Sequence, residues 1–298
     1  EMCIRDRIGT HAIFEQNVIF NNLGYAVIDE QHRFGVKQRS KIWEKNNPPP
    51  HVLIMTATPI PRTLTMSLYG DLDLSIIDEL PPGRKDVITV HRKDKNRLKV
   101  FGFIRDQIKQ GRQIYIVYPL IEESKKMDLK YLEDGLESIT REFDKENYSI
   151  GVMHGRMRSS NKDIEMNNFL NGKIDILIST TVIEVGVNVP NASVMIIENA
   201  ERFGLSQLHQ LRGRVGRGKY DSYCVLMTND KISEDAKIRI DAMVNSNDGF
   251  KISEVDLRLR GPGDVLGTKQ SGVLDFKIAD IIEDESILFS VSNEADLL

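Results

Sequence analysis

Two adjacent carboxylates stand where a short apolar segment ends, and their types suit nucleotide hydrolysis. Tyr25–Ile28 is apolar, and Asp29 and Glu30 follow it directly. Mg²⁺ accepts one or two carboxylates beside water and phosphate oxygens, and a second carboxylate can take a proton from an attacking water. We therefore interpret Asp29 as a Mg²⁺ residue acting through water and Glu30 as the general base. Taken alone, the pair could equally be a strand end with solvated acids.

A second group of residues that could do chemistry is an arginine-rich stretch at residues 210–218, QLRGRVGRG. Arginine stabilises the charge that spreads over transferring phosphoryl oxygens. The three arginines of this stretch, Arg212, Arg214 and Arg217, could come close to a polyphosphate, and a solvated basic loop is the alternative. Residues 213–219 fit the spacing GxxxxGK, but Tyr220 follows where Ser or Thr is required. We reject this stretch as a phosphate-binding loop, and no other GxxxxGK[ST] occurs in the sequence.

Hydroxyl residues follow two further apolar segments. Thr56 and Thr58 come after Val52–Met55, and Thr180 and Thr181 come after another apolar run. Open α/β sheets bind ligands at the carboxyl ends of their strands, so these hydroxyls could contact a ligand or a nucleic-acid phosphate. Ordinary strand-to-turn exits are equally compatible with either pattern.

Composition bounds the class of protein. The 298 residues include 40% hydrophobic and 28% charged residues, with a formal net charge of −4. Cys3 and Cys224 are far apart, which argues against a zinc site or a disulfide framework and favours a reducing, cytoplasmic setting. No apolar run approaches the ~20 residues that span a bilayer. The charge neither supports nor excludes DNA binding, because a local basic stripe would suffice.

Short apolar segments alternate with helix-like ones, which predicts an α/β fold with parallel sheets. Helices are expected at residues 96–109, 159–171 and 235–245, and a further helix is expected to begin near Ser253, capped by Ser253 with Asp256. Two prolines and a glycine within residues 80–84 predict a linker there. The predicted strands are Tyr25–Ile28, Val52–Thr56, Gln113–Tyr118, Ile174–Ser179, Val194–Ile197 and Tyr223–Met227.

In chain order these segments resemble the motifs of superfamily 2 helicases, at residues 9–12, 29–32, 56–58, 117–124, 154–157, 180–190 and 210–217. The resemblance is closest to RecG-like enzymes and covers essentially residues 8–298. It is carried by DEQHRFGVKQR (29–39), TATPIPRT (56–63), DELPPGR (78–84) and PLIEES (119–124). Residues 248–250, 256–264 and 267–272 resemble the translocation motif, a helical hairpin plus loop that links ATP turnover to movement on duplex DNA.

The resemblance implies three regions. Residues 1–82 would be the C-terminal part of a first RecA-like domain, 83–229 a complete second one, and 230–298 the translocation-motif hairpin and C-terminal region. ATP would bind between the RecA-like domains, with Asp29 and Glu30 on one wall and Arg214 and Arg217 on the other. The chain would lack the Walker A segment and the N-terminal wedge domain of these enzymes.

Further roles follow from the same resemblance. Asn188 stands where relatives often carry Asp, and Asn keeps a hydrogen-bonding side chain but loses the charge. Coupling of hydrolysis to movement is implied for Gln31, His32, Thr56, Thr58 and Gln210. Nucleotide or DNA binding is implied for Gly9, Thr10, His154, Gly155, Thr180, Thr181, Glu184, Gly186 and Asn188. The translocation motif would use Asp248, Gly249, Phe250, Arg258, Arg260, Gly261, Gly263, Gln270, Ser271 and Gly272.

The implied protein is a monomeric, ATP- and Mg²⁺-dependent helicase of the bacterial cytoplasm and nucleoid. It would act on branched or duplex DNA, such as stalled forks and recombination junctions, in repair and recombination. A transcription-repair coupling factor is the nearest alternative, although Gln31 and residues 119–124 favour a RecG-like enzyme. A non-catalytic DNA-binding protein without a phosphate loop is the alternative from another class.

Overall fold

A computed structural model of the chain describes residues 6–30, 41–57, 84–119, 135–144, 147–180 and 187–260, and positions 73, 75–77, 79, 81, 284, 287, 290, 291 and 294. The chain divides into two compact units, Glu1–Pro59 and Ile60–Leu298. The three regions with boundaries after residues 82 and 229 stay a prediction. In the described part of the chain, no helix is long and apolar enough to cross a bilayer.

The first unit contains a pair of parallel strands, β1 (Tyr25–Ile28) and β2 (His51–Ile54). A 3-10 turn at His11–Phe14 precedes them. Phe14, Ile28 and Ile42 form a small buried cluster on this pair. The pairing brings the carboxyl ends of both strands to one edge, where the predicted acidic and threonine motifs begin.

The second unit is built on a six-stranded sheet in which every described strand pair is parallel. The strand order is β3-β8-β7-β4-β6-β5, so β3 and β5 are the edges. The strands are β3 (Val87–Lys93), β4 (Gln113–Tyr118), β5 (Ile150–Met153), β6 (Ile176–Thr180), β7 (Ala192–Ile197) and β8 (Ser222–Thr228).

Helices pack on both faces of this sheet. Successive strand residues point to opposite faces, so neighbouring residues of one strand join different buried clusters. On β4, Ile114 and Ile116 belong to one buried cluster, and Tyr115 and Val117 belong to the other. The helices are α1 (Arg97–Lys109), α2 (Ser159–Leu170), α3 (Leu205–Arg212), α4 (Glu234–Asn245) and α5 (Gly249–Arg260). Residues 135–142 are also helical. The predicted α/β fold with parallel sheets is confirmed.

The prediction that a helix begins near Ser253 is wrong, because α5 already begins at Gly249. The Oδ1 of Asp248 accepts a hydrogen bond from the Phe250 backbone N–H at 2.9 Å, which satisfies one free donor of the first turn. Ser253 lies inside the helix, and its hydroxyl donates to the Phe250 carbonyl at 2.8 Å. Asp248, rather than Ser253, is therefore the capping residue.

Candidate functional site

The acidic pair lies directly after β1, as predicted. Glu30 has a φ of +51°, in the left-handed region that residues other than glycine adopt uncommonly. The Asp29 Oδ1 accepts a hydrogen bond from the Glu30 backbone N–H at 2.9 Å. A residue held in this region costs on the order of 1 kcal/mol, and such strain clusters at functional sites. The turn presents two adjacent carboxylates at the end of the strand.

The threonine motif lies at the same edge. The register pairs Ile28 with Ile54, and the Met55 N–H donates to the Ile28 carbonyl at 2.8 Å. Glu30 and Thr56 each stand two residues beyond the last pair of this register, Ile28 and Ile54. The predicted neighbours Gln31, His32 and Thr58 lie outside the described residues.

Gly9 and Thr10, predicted as nucleotide or DNA contacts, precede the first 3-10 turn and are exposed. A Cβ added at Gly9 would lie 2.6 Å from Cγ2 of Ile13. The Thr10 carbonyl accepts the Ile13 N–H at 3.1 Å. Close packing against Ile13 therefore accounts for the glycine, and the role of both residues in binding stays a prediction.

The three arginines of the QLRGRVGRG stretch have different environments. Arg212 ends α3 and is 3% exposed. Its guanidinium donates to the Met243 carbonyl at 2.9 Å and the Ser246 carbonyl at 2.7 Å, at the end of α4. It also donates to Nδ1 of His209 at 3.1 Å. Burial lowers the pKa of His209 to about 4, which favours a neutral ring, and Nδ1 is the acceptor because the guanidinium can only donate. Arg212 therefore ties α3 to α4.

Arg214 and Arg217 lie in the loop between α3 and β8, at the amino-terminal edge of the sheet. The Arg217 Nε donates to the Gly213 carbonyl at 3.0 Å. Burial lowers the pKa of Arg217, and the positive charges of Arg214 and Arg84 lower it further. Burial raises the pKa of Tyr115 to about 12, and Arg214 and Arg217 oppose that rise. Arg214 and Arg217 therefore both act electrostatically on Tyr115 of β4.

The glycines between the arginines are explained by packing. Gly216 has a φ of +77°, and an added Cβ would lie 2.8 Å from Cγ2 of Val87 on β3. An added Cβ at Gly218 would lie 2.2 Å from the carbonyl oxygen of Pro190. The loop therefore packs tightly on neighbouring backbone, which fixes the place from which Arg217 extends.

Replacing Gly218 with alanine is expected to destabilise the chain by about 1–3 kcal/mol, because a backbone carbonyl cannot move aside cheaply. Urea unfolding followed by circular dichroism measures this. Gly102→Ala in α1 is the matched control, since nothing lies within 4 Å of its added Cβ. That change should be neutral or stabilising by up to about 1 kcal/mol. Equal stability of both variants would show that the Gly218 contact is not constraining.

His154 and Thr180 lie together at the opposite, carboxyl edge of the sheet. The register pairs Met153 with Ser179, and His154 and Thr180 are the next residues along their segments. Within the described ranges, neither the His154 Nδ1 nor the Thr180 hydroxyl has a hydrogen-bond partner, although both atoms are buried. Burial lowers the pKa of His154, and Arg156 and Lys162 lower it further. Unpartnered polar atoms beside positive charge suit a phosphate oxygen.

The remaining residues that were predicted to bind nucleotide or DNA, or to couple hydrolysis to movement, lie in different parts of the second unit. Gly155 follows His154 and accepts a hydrogen bond from Nζ of Lys162 at 3.1 Å. Asn188 is exposed and precedes β7, so it lies at the amino-terminal edge with the arginine loop. Gln210 lies within α3. Thr181, Glu184 and Gly186 are outside the described ranges.

The predicted helical hairpin is present as α4 and α5. Ile240 and Met243 of α4 and Ile252 of α5 join the buried cluster on one face of the sheet. Asp248, Gly249 and Phe250 form the start of α5, and Arg258 is exposed on it. The side chain of Arg260 and the residues Gly261, Gly263, Gln270, Ser271 and Gly272 fall outside the described part.

The sequence analysis did not distinguish Arg212 from Arg214 and Arg217, and it assigned no role to Arg84. Arg212 follows Leu205, Leu208 and Leu211 at helical spacing, which puts it on the buried face of α3. That periodicity could have separated it from the two later arginines. Arg84 stood in the predicted linker, and no local pattern linked it to residues more than a hundred positions away.

Two family models match parts of the chain. Residues 95–219 match the family model of the helicase conserved C-terminal domain. Residues 246–298 match the model of ATP-dependent DNA helicase RecG, domain 3, C-terminal. The first match contains α1 to α3 and the arginine loop, and the second begins just before α5.

Other known proteins are similar to this chain over nearly its whole length. The ATP-dependent DNA helicase RecG of Synechocystis sp. is 54% identical over 98% of this chain and 35% of that protein. The RecG of Escherichia coli K12 is 50% identical over 97% of this chain and 42% of that protein. A solved structure of RecG bound to a three-way DNA junction matches with a TM-score of 0.70 and 46% identity, over 94% of this chain and 35% of that one. The chain thus spans well under half of these relatives.

Proposed function

We propose that this chain, which is a RecG-like helicase sequence over nearly its whole length, is the ATP-driven DNA-moving part of a helicase that remodels branched DNA. The observation that carries the proposal is identity of 50–54% along 97–98% of the chain to proteins named ATP-dependent DNA helicase RecG. The match to a RecG bound to a three-way junction supports junctions or forks as the substrate, in repair and recombination.

The carboxylates would act in ATP hydrolysis. Asp29 is exposed beside Glu30 at the end of β1. Among the described residues, no group of three or more His, Cys, Asp or Glu could hold a metal ion. One carboxylate fits the way Mg²⁺ is bound with nucleotides, where waters and phosphates complete the shell. When bound, the ion would neutralise charge on the phosphates. Glu30 would accept a proton from the attacking water.

The basic residues would act on phosphate groups at the two edges of the sheet. Arg214 and Arg217 would stabilise the charge that develops on the transferred phosphoryl group. His154 and Thr180, at the opposite edge, would contact the DNA backbone. Such contacts position a protein on DNA without reading its sequence.

Coupling would follow from the way α3 is held. Arg212 joins the end of α3, next to the arginine loop, to the end of α4 in the hairpin. A shift of the loop during turnover would therefore be transmitted to the hairpin.

We further propose that the full-length protein acts as a monomer in the bacterial cytoplasm, close to the nucleoid.

The 298-residue chain by itself is expected to hydrolyse ATP negligibly, because its sequence contains no GxxxxGK[ST] phosphate loop. Phosphate release is measured with the purified chain in the presence and absence of three-way junction DNA. Robust turnover that Glu30→Gln abolishes would contradict this prediction.

The full-length protein provides the test of the proposed function. It should show ATP hydrolysis stimulated by junction DNA and should unwind a labelled three-way junction. A protein that binds the junction but never hydrolyses ATP would favour the non-catalytic alternative. Equal movement on linear duplex without any junction remodelling would favour a coupling-factor-like translocase.

A further inference from the structure

Arg84 lies beside the arginine loop, although it is far from it in sequence. Arg84 precedes β3, and the loop precedes β8, whose first residue Ser222 pairs with Val87. The Arg84 N–H donates to the Pro81 carbonyl at 3.1 Å. An added Cβ at Gly216 would lie 3.6 Å from the Lys85 carbonyl oxygen. The backbone of the loop therefore packs directly on the segment that carries Arg84.

The side chains of Arg84 and Arg217 share an acceptor. The Arg84 Nη2 donates to the Gly213 carbonyl at 3.5 Å, and the Arg217 Nε donates to the same carbonyl at 3.0 Å. Two guanidinium groups on one carbonyl repel each other, and a single long hydrogen bond compensates little. Among the residues that the structure describes, the Arg84 guanidinium makes no other hydrogen bond, so most of its five donors can contact a ligand.

Across the described ranges, neither Arg84 nor Arg214 nor Arg217 forms an ion pair. Other arginines of the same unit form ion pairs with carboxylates. The Arg97 guanidinium is paired with both carboxylate oxygens of Glu198, at 2.7 and 2.9 Å, and Arg105 is paired with Glu142. The three arginines at this edge are thus a set of donors suited to an anion with several oxygens.

We propose that Arg84 is a third phosphate-binding arginine, which contacts the polyphosphate of the nucleotide together with Arg214 and Arg217. The proposal rests on the proposed function, since it assigns the phosphate to the nucleotide. The location supports this source over DNA, because His154 and Thr180 lie at the opposite edge of the sheet. Arg84 extends the phosphate site to the segment that enters β3.

Binding of inorganic tripolyphosphate to the 298-residue chain, measured by isothermal titration calorimetry, tests the site. Arg84→Ala should weaken binding by roughly ten- to a hundredfold, the range for one charge-assisted hydrogen bond. Arg84→Lys should restore part of the loss, because it keeps the charge without the planar fork.

Lys85→Ala is the matched control. Lys85 is adjacent to Arg84, and its replacement by alanine removes the same charge. Its exposed side chain, however, pairs with Asp221 at 2.8 Å. It should change the affinity by less than about twofold, the scale of an exposed pair. Equal losses in Arg84→Ala and Lys85→Ala would overturn the proposal, as would unchanged binding in Arg84→Ala.

The full-length protein separates nucleotide from DNA as the source of the phosphate. Arg84→Ala should lower kcat for ATP at saturating junction DNA by roughly ten- to a hundredfold, with unchanged affinity for the junction and an unchanged unfolding midpoint. Weaker junction binding with normal kcat would overturn the assignment to the nucleotide. An inactive wild-type protein would instead refute the proposed function, and the tripolyphosphate experiment would still decide whether Arg84 binds phosphate.

Discussion

Replacing Arg217 with alanine in the full-length protein is expected to lower ATP turnover by about 10³- to 10⁵-fold, the contribution of an arginine finger. The physical reason is that this guanidinium is positioned by the Gly213 carbonyl and by a tightly packed loop, next to other positive charges. Charge that appears on the transferred phosphoryl group would be stabilised by donors that are already oriented.

Lys219→Ala is the control for Arg217→Ala. Lys219 is two residues away and exposed, so the variant removes the same charge from the same loop. Turnover of the control should stay near the wild-type rate. Near-normal turnover in Arg217→Ala, measured at saturating ATP and junction DNA, would rule out the assignment of Arg217.

Replacing Arg212 with methionine is expected to lower the free energy of unfolding of the 298-residue chain by about 2–4 kcal/mol. The Met243 and Ser246 carbonyls would lose their donor, and each buried carbonyl left unsatisfied costs about 1–3 kcal/mol. Removing a buried charge offsets part of this cost.

Urea unfolding followed by circular dichroism measures the effect of Arg212→Met. Arg258→Met, on the exposed face of α5, is the matched control and should stay within about 0.5 kcal/mol of the wild-type chain. An Arg212 variant as stable as this control would show that the connection between α3 and α4 contributes little.

The interior of the fold was predictable because buried parallel strands are continuously apolar. The strands β4, β6, β7 and β8 were all predicted within two residues of their observed ends. The sequence prediction omitted β3 and β5, which are the two edges of the sheet. An edge strand has a neighbouring strand on one side only and is more exposed, so it tolerates polar residues and glycine. These break the apolar pattern in both edges, with His91, Arg92 and Lys93 in β3 and a glycine in β5.

The site was predictable where one local segment carries it. Asp29 and Glu30 follow a strand, and the structure places them there. Which edge of the second sheet each residue occupies depends on strand order, which no local pattern reveals. Arg84 reaches Arg217 only because β3 and β8 are neighbours, and Arg212 is separated from Arg214 by burial on one face of a helix.

Turnover by the Glu30→Gln variant of the full-length protein tests the central claim most directly. The substitution keeps the size of the side chain and removes the base that would accept a proton from water. With three-way junction DNA present, the variant should bind the junction as the wild-type protein does and lose ATP hydrolysis by at least about 10²-fold. Hydrolysis near the wild-type rate would contradict the claim that the turn after β1 carries the chemistry.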